Sequence, residues 1–215
     1  MIVINGSYGE GGGQIVRTSL TLSTITGQPV RIERVRAGRR KPGLMPQHLT
    51  AVRAARRICN AEVKGAKRGS QELEFRPQST PQSGAFTFDV AQAAKGGSAG
   101  SVSLILQTVM LPLALAEGPS QVTLLGGTHV AWSPPYDYIK RVYLPTMSRL
   151  GIAAKVSIKN WGWYPMGGGR VQAIIQGREA SATLPLPEGT ITSHTLRERG
   201  RLLRVRGLSA SSNLP

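Results

Sequence analysis

A chain of 215 residues is long enough for one large domain or two smaller ones with a proper core. Its 27 lysines and arginines against 11 acidic residues leave a formal charge of +16, which argues against a neutral small molecule as sole partner. It points instead to a polyanion, nucleic acid ahead of an anionic membrane surface. The single cysteine, Cys59, excludes internal disulfides and a cysteine-based zinc site.

The chain opens on an apolar strand, Met1 to Asn5. Gly9-Glu10-Gly11-Gly12-Gly13-Gln14 follows, with Arg17 one turn later. Glycines let a backbone approach a phosphate closely, and a helix N-terminus favours negative charge. Glu10 would repel a phosphate unless a cation lies between them, so it suggests a divalent metal held through oxygen. A tight strand-to-helix turn, with Glu10 set against the helix dipole, fits the same residues. The loop lacks the Gly-Lys-Ser/Thr of a Walker A motif and the glycine spacing of a dinucleotide fingerprint.

A helix is predicted from Gln14 to Thr26, with Ile15, Leu20, Leu22 and Ile25 on a mostly apolar face and Gly27 closing it. Val30 to Val35 reads as the next strand. Arg36, Arg39, Arg40 and Lys41 then precede Pro42-Gly43 and a helix start at Gln47. Guanidinium forks beside a glycine turn suit bidentate phosphate contacts, although a solvated basic loop has the same composition. The helix from Gln47 to Asn60 puts Leu49, Val52, Ala55, Ile58 and Cys59 near one face, so Cys59 reads as a buried inert thiol. Strands at Ala61 to Lys64 and Glu72 to Phe75 complete a first βαβαββ pattern.

The pattern then runs again. Ala85 to Val90 is a strand, Gly96-Gly97-Ser98-Ala99-Gly100 a second glycine loop, and Ser101 to Ala116 an apolar helix. Gln107 interrupts that helix with an amide that needs a partner, either a backbone group nearby or a ligand or metal in a cleft. Gln121 to Leu125 is a strand and Gly126-Gly127-Thr128 a turn. Pro134 and Pro135 start a helix reaching Leu150, which Pro145 should kink or interrupt. Strands at Ala153 to Lys159 and Arg170 to Ile175 flank Trp161-Gly162-Trp163-Tyr164-Pro165-Met166-Gly167-Gly168-Gly169. That turn reads as structural, packed by Trp163 and Tyr164, with base stacking as the alternative. The repeated order argues duplication. It predicts units over 1–84 and 85–176, then a connector and one further strand, Gly200 to Leu208, over 177–215.

His48, His129 and His194 sit in no acid/base or metal constellation. His48, beside Gln47, reads at most as a support to the site. No stretch is apolar enough to span a membrane and the N-terminus lacks a signal peptide, so a cytoplasmic protein is expected.

Taken together, Gly9 to Arg17, Arg36 to Gly43-Leu44, Gln47 to Val52, Gly69-Ser70-Gln71, Ser98 to Ser101, Leu106-Gln107-Thr108, Gly126-Gly127-Thr128 and Gly162 to Gly169 closely resemble the RNA 3'-terminal phosphate cyclases. One departure is Trp161, where that family usually carries a basic residue. The resemblance implies an α/β fold of tandem βαβαββ units, cyclase- and EPSP-synthase-like. It implies three such units in all, with a small α/β domain inserted after the second. On that basis this chain is expected to be a truncated form that stops within the insert.

The resemblance also implies a reaction. A histidine is adenylylated by ATP, AMP passes to an RNA 3'-phosphate, and the 2'-hydroxyl closes a 2',3'-cyclic end. Carried over by motif, Glu10, Arg17, Gln107 and Pro134 would bind ATP, with Glu10 and Gln107 near a divalent metal, Mg or Mn. Arg17, Arg36, Arg39 and Gln47 would hold the RNA phosphate. The family's nucleophilic histidine matches none of the three here. It belongs to the third unit and is expected beyond Pro215, the last residue of this sequence, so no catalytic residue is assigned. Partners implied are ATP and RNA with a 3'-phosphate end. Self-association is expected through apolar faces that a third unit would bury. A non-catalytic, cyclase-like RNA-binding or ribosome-assembly protein is the alternative, and a carboxyvinyl-transferring enzyme on a related repeated fold is a third reading.

Overall fold

Among the described residues, eight strands form two four-stranded sheets with the same connectivity. The structure, a computed structural model, describes residues 1–93, 99–178 and 207. The first sheet holds β1 (Ile2–Asn5), β2 (Val30–Glu33), β3 (Glu62–Lys64) and β4 (Leu73–Arg76), in the order β1-β2-β4-β3. The second holds β5 (Ala85–Asp89), β6 (Ser120–Gly126), β7 (Ala154–Asn160) and β8 (Gly169–Ile175), in the order β5-β6-β8-β7. In each sheet the first pair is parallel and the others antiparallel. A parallel pair needs a crossover, supplied by α1 (Gly13–Thr26) in the first unit and α3 (Val102–Ala114) in the second. The fold is therefore the tandem βαβαββ arrangement expected from the sequence.

The strands bury one face by alternation. In β8, Gly169, Val171, Ala173 and Ile175 point inward while Arg170 and Ile174 are exposed. Against those faces pack α1, α3 and α2 (Pro46–Cys59), which also pack on one another and join the two units into one core. Most helical residues predicted as apolar contacts behave as such: Leu49, Val52, Ala55, Ile58 and Cys59 of α2 are all buried. Burial raises the pKa of the Cys59 thiol, which keeps it protonated and inert.

The face of α1 differs from the expectation. Leu22 is 54% exposed, and the buried side includes Ser19, Thr21, Ser23 and Thr24 beside Val16 and Leu20. Small hydroxyl residues let α1 approach its neighbours closely and still satisfy their polar atoms. Thr21 Oγ1 lies 2.9 Å from both Arg17 O and Thr108 O, so it ties α1 to α3.

The helix ends follow from local chemistry. Gly27 takes φ 69° after α1 and its N–H donates to Ser23 O, while Asn60 takes φ 48° after α2. Pro46 begins α2, where a missing N–H costs nothing. Pro145 does interrupt its helix: α4 (Tyr136–Tyr138) passes through a π-helical turn (Ile139–Tyr143) into α5 (Leu144–Arg149). The wider turn accommodates the proline ring and its absent donor. The predicted strand from Gly200 to Leu208 falls almost wholly outside the described residues. So do Gly96 to Ser98 of the second glycine loop, and the chain's last residue, Pro215.

Candidate functional site

The glycine loop between β1 and α1 places three side chains from different elements around one helix N-terminus. Gly9 and Gly11 take φ 56° and 54°, which turns the chain sharply into α1 with Gly12 as N-cap. Gly13 is the first helical residue. A Cβ there would collide with His48 Nε2 and approach an Arg17 guanidinium nitrogen to 3.0 Å, so His48 and Arg17 both lean on this one position.

The sequence reads His48 as a support at most, and the structure makes it central to the loop. It is buried at the start of α2, where its Nδ1 accepts the Met45 N–H at 3.0 Å. It thereby fills the capping position usually held by a glutamate or glutamine. With Nδ1 an acceptor, the neutral ring carries its proton on Nε2, on the Gly13 side. Burial, then the charges of Arg36 and Arg17, lower its pKa to about 3. A sequence signal is present, since His48 lies three residues after the N-cap. Recognising it requires knowing that the loop folds back over the helix start.

Arg17 and Arg36 carry the electrostatics. Desolvation lowers the pKa of both, and the neighbouring Arg39 adds to the effect on Arg36. Neither has a carboxylate within ion-pair distance among the described residues. Arg17 Nε instead donates to the neutral Gln107 Oε1 at 3.3 Å. Gln107 is exposed on α3, so its partner is a side chain of the other unit and not the nearby backbone group considered from the sequence. Arg36 NH1 donates to Lys41 O at 2.8 Å and to Gly43 O at 2.7 Å, which shapes the basic loop while the cation remains unneutralised. Two partly desolvated guanidinium groups without counter-charge, beside a helix N-terminus, form a site for an anion.

Arg39 and Glu10 are the outer pair. They meet at 3.4 Å with the Glu10 side chain 85% exposed. Gln47, next to His48, accepts the Ser101 N–H on Oε1 at 2.9 Å and so links α2 to the start of α3. Pro134 lies apart from this group, half-buried in the loop before α4. It is two residues from Trp132, which with Gln47, Val130, Tyr164 and Pro165 lines an open cleft of about 580 Å³.

Among the described residues no three His, Cys, Asp or Glu side chains come together to hold a metal. Glu10 offers one carboxylate and Gln107 one amide oxygen, each facing a guanidinium. That donor set fits a hard divalent cation only where phosphate oxygens and water complete the shell, as magnesium uses them. His129 is held in a packed aromatic cluster. Its ring stacks on Trp161 and Trp163 at 4.6 and 5.1 Å, Nδ1 lies 2.9 Å from Thr128 Oγ1, and Nε2 faces Asp137 Oδ2 at 3.5 Å. Trp163 thus packs the glycine turn as expected, whereas Tyr164 does not: it is 83% exposed. His194 lies outside the described residues, as do all of residues 179–206 and 208–215.

The class of protein defined so far is a repeated α/β scaffold that gathers arginines without carboxylate partners at a glycine-loop helix start, an arrangement suited to an anion. The chain belongs to the RNA 3'-terminal phosphate cyclase family, whose profile matches residues 8–196. Proteins named RNA 3'-terminal phosphate cyclase from Nostoc punctiforme and Gloeothece citriformis are each 55% identical to it over its whole length, and this chain covers 59% of each. One from Methylococcus capsulatus is 50% identical, with 57% of its length covered. The chain thus spans somewhat more than half the length of the curated relatives it matches. A crystal structure of the enolpyruvyl transferase NikO from Streptomyces tendae aligns with a TM-score of 0.39 and 16% identity, over 75% of this chain and 30% of that one. No helix among the described residues is long and apolar enough to cross a membrane.

Proposed function

We propose that this chain supplies the phosphate-binding part of an ATP-dependent RNA 3'-phosphate cyclase. The observation that carries the reading is the convergence of Arg17 and Arg36, both without carboxylate partners among the described residues, on the neutral His48 over Gly13. Here Arg17, Arg36 and Arg39 bind the terminal RNA phosphate and the phosphates of ATP. The His48 Nε2–H and the α1 N-terminus add neutral donors that do not compete for protons. The side chains of Gln47 and Gln107 cross-brace the two units, so the arginines are fixed before the anion arrives. Pro134 offers an apolar edge to a nucleotide base.

Glu10 and Gln107 would hold a divalent ion together with the phosphates, and such an ion supplies charge neutralisation during phosphoryl transfer. The reaction of the whole protein is the closing of the RNA end: the 2'-oxygen forms a bond to the adenylylated 3'-phosphorus, the 2'-proton passes to solvent, and AMP leaves. Neither His48 nor His129 is assigned as the nucleophile toward ATP, since one caps a helix and the other is packed between tryptophans. Where ATP and unfinished RNA ends meet, in the cytoplasm, is the natural setting. The cyclase reading is favoured over a non-catalytic RNA-binding protein by Glu10. A carboxylate beside the arginines weakens simple RNA binding, whereas beside a phosphate-bound cation it contributes a ligand.

RNA whose 3'-phosphate already carries AMP tests this without any enzyme nucleophile. The 215-residue chain is expected to speed release of AMP and the cyclic end about 100-fold, with Arg17→Ala losing most of that gain. Given labelled ATP alone, it should form no covalent adduct on His48 or His129. No acceleration would contradict the assignment, and an adduct on either histidine would contradict their placement as structural groups.

A further inference from the structure

The cleft beside the arginine loop has an aromatic wall that phosphate binding does not use. Trp132 is 100% exposed and Tyr164 is 83% exposed, and among the described residues neither makes a ring contact with another side chain. Both line the same cleft, with Pro165 and Val130. Trp132 is held at φ 62°, a left-handed conformation that a bulky residue rarely adopts. The fold has no evident use for either ring. Packing of the glycine turn is done by Trp161, Trp163 and His129, which stack on one another.

The cleft is continuous with the charged site through Gln47. That residue lines the cleft and stands directly before His48 at the start of α2. Its Oε1 is taken by the Ser101 N–H, which leaves the amide N–H₂ as the donor for a cleft occupant. An occupant that joins an anion on the arginines to a flat apolar group between two rings has the chemistry of a nucleotide strand. The excess of basic residues favours the same class.

We infer that Trp132 and Tyr164 form a stacking clamp for an unpaired RNA base close to the 3' end, and so select single-stranded over base-paired ends. The inference rests on the arginine loop holding the terminal phosphate. A base enters the clamp only when unstacked from its duplex, and every base has a face to stack, so the selection is for strandedness and not sequence.

Binding of fluorescent RNA to the 215-residue chain, with Trp132→Leu and Tyr164→Leu, tests it. The probes are a single strand ending in 3'-phosphate, the same strand with abasic sites in its last positions, and a blunt duplex with the same end. Each substitution should weaken single-strand binding about tenfold, as loss of one stacked base does. The abasic strand should bind the unsubstituted chain as weakly as the intact strand binds the variants, and duplex binding should not change. Both side chains are exposed, so thermal melting should be unaltered. Single-strand binding within about twofold of the unsubstituted chain in both variants would overturn the clamp. So would weakened ATP binding with RNA binding untouched, which would place adenine in the cleft. Stacking effects in a chain that ignores the 3'-phosphate would instead sink the phosphate assignment and leave the aromatic site standing.

Discussion

The two repeats share a strand order, yet their loops carry different chemistry. In the first, the loops after β1 and β2 gather Arg17, Arg36, Arg39 and His48 around a helix start, and α2 runs unbroken from Pro46 to Cys59. In the second, the loop after β6 carries Trp132, the turn between β7 and β8 carries Trp161, Trp163 and Tyr164, and the helix after β6 is broken by a π turn ahead of Pro145. On one core, the loops of the first sheet carry charge and those of the second carry flat apolar surface. The contacts between Arg17 and Gln107 and between Gln47 and Ser101 hold the two sets in register.

That comparison is broken most severely at Gly13. A methyl group there meets the buried His48 ring and the Arg17 guanidinium, and neither can withdraw freely. Gly13→Ala should destabilise the chain by about 1–2 kcal/mol, overpacking exceeding the gain in helix propensity. A melting temperature equal to or above that of the unsubstituted chain would show that the first repeat tolerates the crowding that the arginine geometry depends on.

A comparable effect sharpens the electrostatic side. His48 has a folded pKa of about 3, below the ordinary 6.5. Between those values the unfolded chain binds the extra proton, so stability rises with pH across that window and is lost as pH falls below about 6.5. His48→Asn keeps an acceptor for the Met45 N–H but cannot titrate. Chemical denaturation at pH 7 and pH 5 should show a shallower pH dependence in the variant. Identical slopes would mean that the imidazole is not held neutral between Arg17 and Arg36.

Much of this organisation is legible in the sequence because it rests on local rules. Gly27 ending α1, Pro46 opening α2 and Pro145 breaking its helix are single-residue signals with a mechanical cause. The glycine loop likewise announces a helix start near an anion. What is not legible depends on packing across the repeats. Leu22 looks like a core residue by spacing and is exposed, because Thr21 and Ser23 make the close contacts instead. Gln107 can be read as needing a partner, but only the juxtaposition of α1 and α3 shows that Arg17 is that partner. Tyr164 sits in an aromatic turn whose packing Trp161, Trp163 and His129 already satisfy, a division that no spacing reveals. His48 escapes notice because histidine invites a search for catalysis, whereas here it caps a helix and stays neutral.

Recognition of a terminal phosphate by the arginines is tested by a direct comparison of RNA ends. Two single strands of the same sequence, one ending in 3'-phosphate and one in 3'-hydroxyl, are titrated against the 215-residue chain and its Arg17→Ala variant at fixed salt. The unsubstituted chain should prefer the phosphate end by at least about tenfold, the worth of one charge-assisted contact. Arg17→Ala should abolish the preference while retaining the general, salt-dependent affinity for RNA. Equal binding of both ends by the unsubstituted chain, or a preference that survives Arg17→Ala, would contradict the central claim.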